Sequence, residues 1–224
     1  IEEAYERTKT FVRASHILIS LPENANPTDT LNAYNKAMSI RERALKGEDF
    51  SALAKQYSDD PSVQDKKEQN YKGNGGDLGY FTSMVMIYPF ENACYSMEVG
   101  EISIPIKTRF GYHIIKLTDK IPAFFSSVDL SHIWIANVNR SEQESQRIIN
   151  EVYAKLQQDN VSFDSIVRLY SDDKSTANAG GVLKNQKVNT IPAPYVLQLS
   201  KLKEGEISAP FQTPFGWHII KPIR

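Results

Sequence analysis

The sequence contains one long run of residues twice. GEISIPIKTRFGYHIIK, which starts at Gly100, returns as GEISAPFQTPFGWHIIK from Gly205. From the paired glycines at 75–76 and 180–181 to the end of the repeat, the copies align without a gap at a constant offset of 105 residues. This repeat constrains the fold more than any other feature, because each copy must form the same structural unit.

The repeat extends toward the start of each copy. ASHILIS at 14–20 returns as LSHIWIA at 130–136, and YSDD at 57–60 returns at 170–173. The second copy is shorter by three residues before YSDD and by eight residues between YSDD and the paired glycines. A chain of 224 residues has room for two domains of about 100 residues each. We therefore predict domains at 11–120 and 127–224, joined by a linker at 121–126.

The residue pattern of each copy predicts the order β-α-α-β-α-β-β, which is an α+β domain. In the first copy we expect a strand at 11–19, a helix capped by Thr28 or Asp29, and a second helix at 49–58. A strand at 78–81, a helix at 89–97 and a hairpin of strands 102–106 and 112–118 follow. Leu31, Tyr34, Ala37, Met38 and Leu45 are expected on the buried face of the first long helix. Residues 59–75, including QDKKEQ at 64–69, are expected to form a solvated loop.

Composition excludes several function classes. The chain has 26 basic and 27 acidic residues, so it lacks the basic surplus of a nucleic-acid-binding protein. No apolar run approaches the roughly 20 residues that cross a bilayer. Cys94 is the single cysteine, which excludes an intramolecular disulfide, and its apolar neighbours predict a buried, unreactive thiol.

Four histidines form two matched pairs, His16 with His113 and His132 with His218. One member of each pair lies in the first strand of its copy and the other in the last strand, so the rings meet if those strands are neighbours. A histidine between isoleucines is, however, more often a hydrogen-bonded core residue than a catalyst. A metal site is disfavoured because Asp60 and Asp173 are the only further ligands and no zinc-binding spacing is present. A nucleophile is disfavoured because no Gly-x-Ser-x-Gly motif occurs and the cysteine has no duplicate.

Five motifs in a fixed order resemble the parvulin family of peptidyl-prolyl cis-trans isomerases. They are SHILI, YSDD, GGDLGYF, YPFENACYSMEVGEIS and PIKTRFGYHIIK, and they occur again with more differences in the second copy. The resemblance implies two FKBP-like domains, each with a small, mostly antiparallel four-stranded sheet flanked by helices, and no cofactor. It also implies that residues 1–10 end a preceding helical segment.

Two such domains in tandem resemble the SurA-type chaperones of the bacterial envelope. This likeness implies a periplasmic location and clients that are unfolded or nascent polypeptides, with outer-membrane protein precursors as candidates. Residues 20–35 contain no Lys or Arg, which disfavours recognition of phosphoserine before proline.

The resemblance assigns site residues to both copies. In the first, His16, Asp60, Thr108 and His113 match catalytic positions, Leu78, Met86 and Phe90 match the proline pocket, and Phe110 lies at the rim. From spacing alone, Met86 and Phe90 are equally expected as a helix face in the core. The equivalents in the second copy are His132, Asp173, Leu183, Ile191, Tyr195, Thr213, Phe215 and His218.

The second copy departs from the family pattern. DLGYF becomes VLKNQ at residues 182–186, and the preceding loop is shorter. We predict weaker or absent catalysis there, with a peptide-binding groove retained. Two functions remain open: an isomerase that works mainly through the first domain, and a non-catalytic holdase that grips polypeptides with both domains.

Overall fold

A computed structural model describes residues 2–65, 73–138 and 140–223. The chain divides into two compact units, residues 1–123 and 124–224. The first unit contains α1 (Glu2–Arg7), β1 (Thr10–Ser20), α2 (Pro27–Leu45), α3 (Phe50–Tyr57), β2 (Asp77–Phe81), α4 (Tyr88–Ser96), β3 (Ile106–Thr108) and β4 (Gly111–Pro122). The second contains β5 (Val128–Ala136), α5 (Glu142–Leu156), α6 (Phe163–Tyr170), α7 (Lys174–Ala177), β6 (Val182–Gln186), α8 (Ala193–Leu199), β7 (Phe211–Thr213) and β8 (Gly216–Pro222). Much of QDKKEQ lies outside the described residues.

Each unit is built on a four-stranded antiparallel sheet, so the predicted α+β class is confirmed. The strand order is β2-β1-β4-β3 in the first unit and β6-β5-β8-β7 in the second. The first and last long strands of each unit are therefore central neighbours, as the histidine argument requires. The second unit adds the short helix α7 to the predicted order, and β4 includes Ile121 and Pro122 from the predicted linker.

The side chains of β1 alternate between the two faces of the sheet. Ile17 and Ile19 pack with the buried residues of α2 and α3 on one face. Val12 and Ala14 pack on the other face, in a cluster that includes Phe90 of α4. His16 has the same parity as Val12 and Ala14, so the sheet directs its imidazole toward α4.

Cys94 is fully buried in α4, as its neighbours predicted. Burial raises the pKa of this thiol to about 12, so it stays protonated at neutral pH.

The start and the buried face of α2 differ from the prediction. Asn26 is the N-cap, and its side chain accepts a hydrogen bond from the Asp29 amide at 2.8 Å. Asn26 caps the helix because Pro27 then occupies the first turn, where its missing N–H costs nothing. Leu31 and Leu45 are more than half exposed. The buried positions of α2 are the small residues Ala33, Ala37 and Ala44 together with Ile40.

The closing hairpin also begins later than predicted. Ile102 makes only an isolated bridge with Lys116, and the strand proper starts at Ile106. Ser103 uses its hydroxyl to accept the Ile115 amide at 3.0 Å, and Pro105 has no N–H to donate. The regular ladder can therefore form only beyond Pro105.

Candidate active site

The two histidines of the first unit meet on the face of the sheet that packs against α4. Leu18 is the register partner of His113, and His16 is the partner of Ile115, so the histidines are diagonal neighbours on paired strands. Their Nδ1 atoms are 3.1 Å apart, and the rings are nearly parallel with centroids 5.4 Å apart. Both side chains are buried.

A hydrogen-bonded chain extends from this pair in both directions. Asp60 Oδ2 lies 2.6 Å from His16 Nε2, and Asp60 Oδ1 accepts from both the amide and the hydroxyl of Ser62 at 2.8 Å. On the other side, Thr108 Oγ1 lies 2.8 Å from His113 Nε2 and accepts the Phe110 amide at 3.1 Å. We call this chain, from Ser62 to the Phe110 amide, the relay.

One set of tautomers satisfies every atom of the relay with both rings neutral. Asp60 accepts from His16 Nε2–H, so His16 Nδ1 accepts from His113 Nδ1–H, and His113 Nε2 accepts from the Thr108 hydroxyl. The hydrogen bond from His16, followed by those from Ser62, lowers the pKa of Asp60 well below its ordinary value. Burial, followed by the proximity of His16, lowers the pKa of His113 to about 4. His113 is therefore neutral at neutral pH.

The paired glycines of the repeat explain how β1 is held. The His16 amide donates to the Gly76 carbonyl at 2.9 Å. Gly76 has φ of +92°, and a Cβ there would lie 2.7 Å from the His16 carbonyl oxygen. Only glycine allows the chain before β2 to approach the histidine strand this closely.

A cavity of about 430 Å³ opens beside the histidine pair. It is lined by His16, Leu18, Asp60, Pro61, Leu78, Val85, Met86, Ile87, Phe90, Arg109, Phe110 and His113. The predicted pocket residues Leu78, Met86, Phe90 and Phe110 are all in its wall. Thr108 is not part of this wall and contacts His113, which is. Leu18, Val85 and Arg109 were not anticipated, because their spacing in the sequence does not separate them from ordinary strand and loop residues.

Phe90 joins the cavity to the relay. Its ring stands edge-on to both imidazoles, with centroids 5.7 Å from His16 and 5.4 Å from His113. Phe90 is buried and also packs against Phe81 in the core. It therefore belongs to both the core and the cavity wall, which the sequence left as alternatives.

A buried carboxylate holds the segment that carries Met86. Glu91 accepts the Met84 amide at 2.7 Å through one oxygen and lies 3.4 Å from the Arg7 guanidinium through the other. Arg7 and Glu91 are both buried. A charged residue in the middle of an apolar helix was the available signal for this contact, and sequence reasoning missed it.

The second unit contains the same histidine, aspartate and threonine residues, but its series of hydrogen bonds has one more member. His132 Nε2 lies 2.8 Å from Asp173, and Thr213 Oγ1 lies 2.7 Å from His218 Nε2. The two Nδ1 atoms are instead bridged by the Tyr195 hydroxyl, at 3.1 Å from His132 and 2.7 Å from His218. The ring centroids are consequently 6.5 Å apart.

Burial governs titration in this second site. It lowers the pKa of His132, although Asp173 opposes the change, and it lowers the pKa of His218 to about 3. Burial alone would raise the pKa of Asp173, but hydrogen bonds from Ser175, Thr176 and His132 lower it overall.

The other predicted equivalents in the second unit surround this site unevenly. Ile191 is buried and Leu183 is half-buried, whereas the Phe215 side chain is 48% exposed. Within residues 2–65, 73–138 and 140–223, no cluster of three or more His, Cys, Asp or Glu is arranged to hold a metal ion. In the same ranges no helix has the length and apolar character needed to cross a bilayer.

Comparison with known proteins shows which family the sequence matches. The Rotamase family, described as the PPIC-type PPIASE domain, matches residues 16–119 and 132–224. Chaperone SurA of Thiobacillus denitrificans is 32% identical over 99% of this chain and 49% of its own length. Foldase protein PrsA of Geobacillus kaustophilus is 42% identical over 54% of this chain and 36% of its own length. The crystal structure of the peptidylprolyl isomerase PrsA from Bacillus anthracis, at 36% identity, aligns over 55% of this chain and 48% of its own, with a TM-score of 0.43.

The chain spans about half the length of the SurA relatives it matches.

Proposed function

The chain belongs to the family of PPIC-type peptidyl-prolyl cis-trans isomerases, and we propose that its first unit isomerises X-Pro bonds in unfolded polypeptides. The observation that carries this proposal is the juxtaposition of a cavity of about 430 Å³ with the His16–His113 pair. The wall combines aliphatic and aromatic side chains with one ionised carboxylate, which suits a proline ring with a polar amide at its edge.

The reaction needs no covalent chemistry. Rotation about the X-Pro bond faces a barrier of roughly 18–20 kcal/mol because the C–N bond has partial double-bond character. A catalyst must bind the twisted amide better than either planar form. Leu78, Met86 and Phe90 would hold the ring and exclude the water that stabilises the planar, more polar amide. The carbonyl is then free to rotate against a fixed proline ring.

The relay would set the electrostatic field around the rotating carbonyl. In the neutral relay all four imidazole nitrogens are engaged, two by each other and two by Asp60 and Thr108. His113, with its pKa lowered to about 4, is neutral at neutral pH, and its one N–H is already engaged with His16 Nδ1. We therefore assign the histidines an orienting role, in which they fix Asp60 in the cavity wall and bond to Thr108, and we assign no general acid or base.

The biological setting follows from the relatives by analogy. Proteins named chaperone SurA and foldase PrsA share sequence with this chain. We propose that the chain acts as a folding chaperone on unfolded or nascent polypeptides of the cell envelope, outer-membrane precursors among them. We also propose the domain limits 11–120 and 127–224 as the two functional modules.

The test uses the full-length chain with one substitution in each unit. Wild type, His16→Ala and His132→Ala are compared in a refolding assay limited by proline isomerisation, whose uncatalysed phase takes tens of seconds. We expect His16→Ala to remove most of the acceleration and His132→Ala to affect it far less. Full activity in His16→Ala, with both variants folded by circular dichroism, would refute the assignment to the first unit.

A non-catalytic holdase is the second candidate. Val85 and Phe110 are exposed apolar or aromatic side chains in the wall of the first unit's cavity, and such a surface can bind a polypeptide without turnover. Suppression of aggregation of a proline-free client by a chain that fails to accelerate refolding would favour the holdase.

A further inference from the structure

The histidine pairs of the two units differ in the aromatic residue beside them, which carries a hydroxyl only in the second unit. At the constant offset of 105 residues, the counterpart of Phe90 is Tyr195. The Phe90 ring has no polar atom and stands nearly perpendicular to both imidazoles, and His16 and His113 bond directly to each other. Tyr195 brings a hydroxyl to the same place, and that hydroxyl contacts both Nδ1 atoms of the second pair.

The hydrogen bonds of the second unit, including those of the Tyr195 hydroxyl, can all be satisfied with one assignment of donors and acceptors. Asp173 accepts from His132 Nε2–H, so His132 Nδ1 accepts the phenol proton, and the phenol oxygen accepts from His218 Nδ1–H. The Thr213 hydroxyl then donates to His218 Nε2. Burial raises the pKa of Tyr195, so the phenol keeps its proton. With the hydroxyl inserted, the centroid separation is 6.5 Å, against 5.4 Å in the first unit.

Two larger side chains occupy the space beside the second pair. Trp134 replaces Leu18, a wall residue of the first cavity, and its ring is parallel to His218 at a centroid distance of 6.4 Å. Phe211 replaces Ile106 and contacts both His218, at 5.7 Å, and Tyr195, at 5.1 Å. A tryptophan ring thus stands at a position that lines the proline pocket in the first unit, and a phenylalanine ring packs against both the histidine and Tyr195.

We propose that the residue at position 90 or 195 decides whether the two histidines of a unit hydrogen-bond directly to each other. We also propose that Tyr195, with Trp134 and Phe211, keeps a proline ring out of the site of the second unit. Tyr195 acts as a positioning residue, through the histidines and through occupied space. The part of this proposal that concerns activity rests on the proposed isomerase function of the first unit. Any polypeptide bound by the second unit would then bind away from its histidine pair.

Exchange of the two residues tests the proposal in the full-length chain. Phe90→Tyr should insert a hydroxyl between His16 and His113 and lower kcat/KM for a prolyl peptide at least tenfold. Tyr88→Phe is the matched control, because it changes one hydroxyl in the same helix at a side chain that is 62% exposed. Retention of wild-type kcat/KM by a folded Phe90→Tyr chain would overturn the proposal.

The reciprocal variants are made in a His16→Ala background, which isolates the second unit. Tyr195→Phe alone should create a direct contact between His132 and His218 but leave Trp134 and Phe211 beside them. Tyr195→Phe with Trp134→Leu and Phe211→Ile should also free the space beside the histidines, and we expect measurable isomerase activity to appear. A folded triple variant without activity would refute the closing role.

An NMR readout separates this proposal from the isomerase function. A scalar coupling between two imidazole ¹⁵N nuclei is transmitted only by a direct N–H···N hydrogen bond. We expect it for His16–His113 and not for His132–His218, and we expect Phe90→Tyr to abolish the first and Tyr195→Phe to create the second. If wild type lacks isomerase activity but the couplings behave in this way, the proposed function fails, whereas the effect of residues 90 and 195 on the histidine contact stands. Unchanged couplings in both variants would refute that effect.

Discussion

The stability of the second unit should fall as the solution is acidified from pH 6.5 to pH 4. His218 is 5% exposed, and burial lowers its pKa from the ordinary 6.5 to about 3. In the unfolded chain the same imidazole takes up a proton as the pH falls below 6.5, whereas in the folded unit it does not. The unfolded state therefore binds more protons in this window, and the free energy of unfolding decreases with decreasing pH.

The magnitude follows from the width of the window. Each pH unit in which only the unfolded state binds the proton is worth about 1.4 kcal/mol, so acidification from 6.5 to 4 should remove about 3 kcal/mol through His218. His132 adds to the loss, because burial lowers its pKa as well. The stabilisation is fully present above pH 6.5. Asp173, with its lowered pKa, contributes a further loss only below about pH 4.

The chain provides its own reporter for this measurement. Both tryptophans, Trp134 and Trp217, lie in the second unit, so intrinsic fluorescence follows that unit within the full-length protein. Denaturant unfolding is recorded at intervals from pH 7 to pH 4 for wild type and for His218→Gln, which cannot titrate in this range. The pH slope of the variant should be shallower by about 1 kcal/mol per pH unit.

A free energy of unfolding that is constant or increases between pH 6.5 and pH 4 would refute the reasoning. A slope that is the same in wild type and His218→Gln would assign the pH dependence to other groups.

Two further predictions concern the first unit. Thr108→Val should destabilise it by about 1–3 kcal/mol and reduce isomerase activity, because His113 Nε2 loses its donor and the Phe110 amide loses its acceptor. Thr108→Ser keeps the hydroxyl and should retain most of the stability and most of the activity. Equal losses in the two variants would contradict the prediction. Gly76→Ala should destabilise the unit by ~1–3 kcal/mol more than Gly47→Ala in thermal unfolding, since both glycines have φ above +90° but only Gly76 would place its Cβ within 2.7 Å of another backbone atom; equal destabilisation would remove the role of Gly76 as a spacer.

The repeat predicted the sheet better than the helices. The copies share strands that begin and end each unit, and pairing of those strands follows from the need to bury two isoleucine-rich segments in one small core. The face of α2 was misjudged at Leu31 and Leu45, because the helix packs through small side chains and leaves these leucines outside. Periodicity locates a stripe of apolar residues but does not say how closely the helix approaches the sheet.

The site was predictable in its residue types and not in its connections. His16 and His113 were expected to meet because they lie in the first and last strands of the unit, which can be central neighbours in a small sheet. The bridging role of Tyr195 could not be read from the sequence, since an aromatic residue satisfies the pattern with or without its hydroxyl. The Arg7–Glu91 contact joins residues 84 positions apart, and no periodic pattern reports such a pair.

The pairing of β1 with β4 brings the two outer ends of the central strands of the first sheet together. Thr10 and Pro122 are register partners, so the polypeptide enters and leaves this sheet at one point. His16 is six residues further along β1, about 20 Å from that point at the usual rise per residue of a strand. A sheet whose first and last strands end side by side can be inserted, with its helices, into a loop of an unrelated host protein without being stretched.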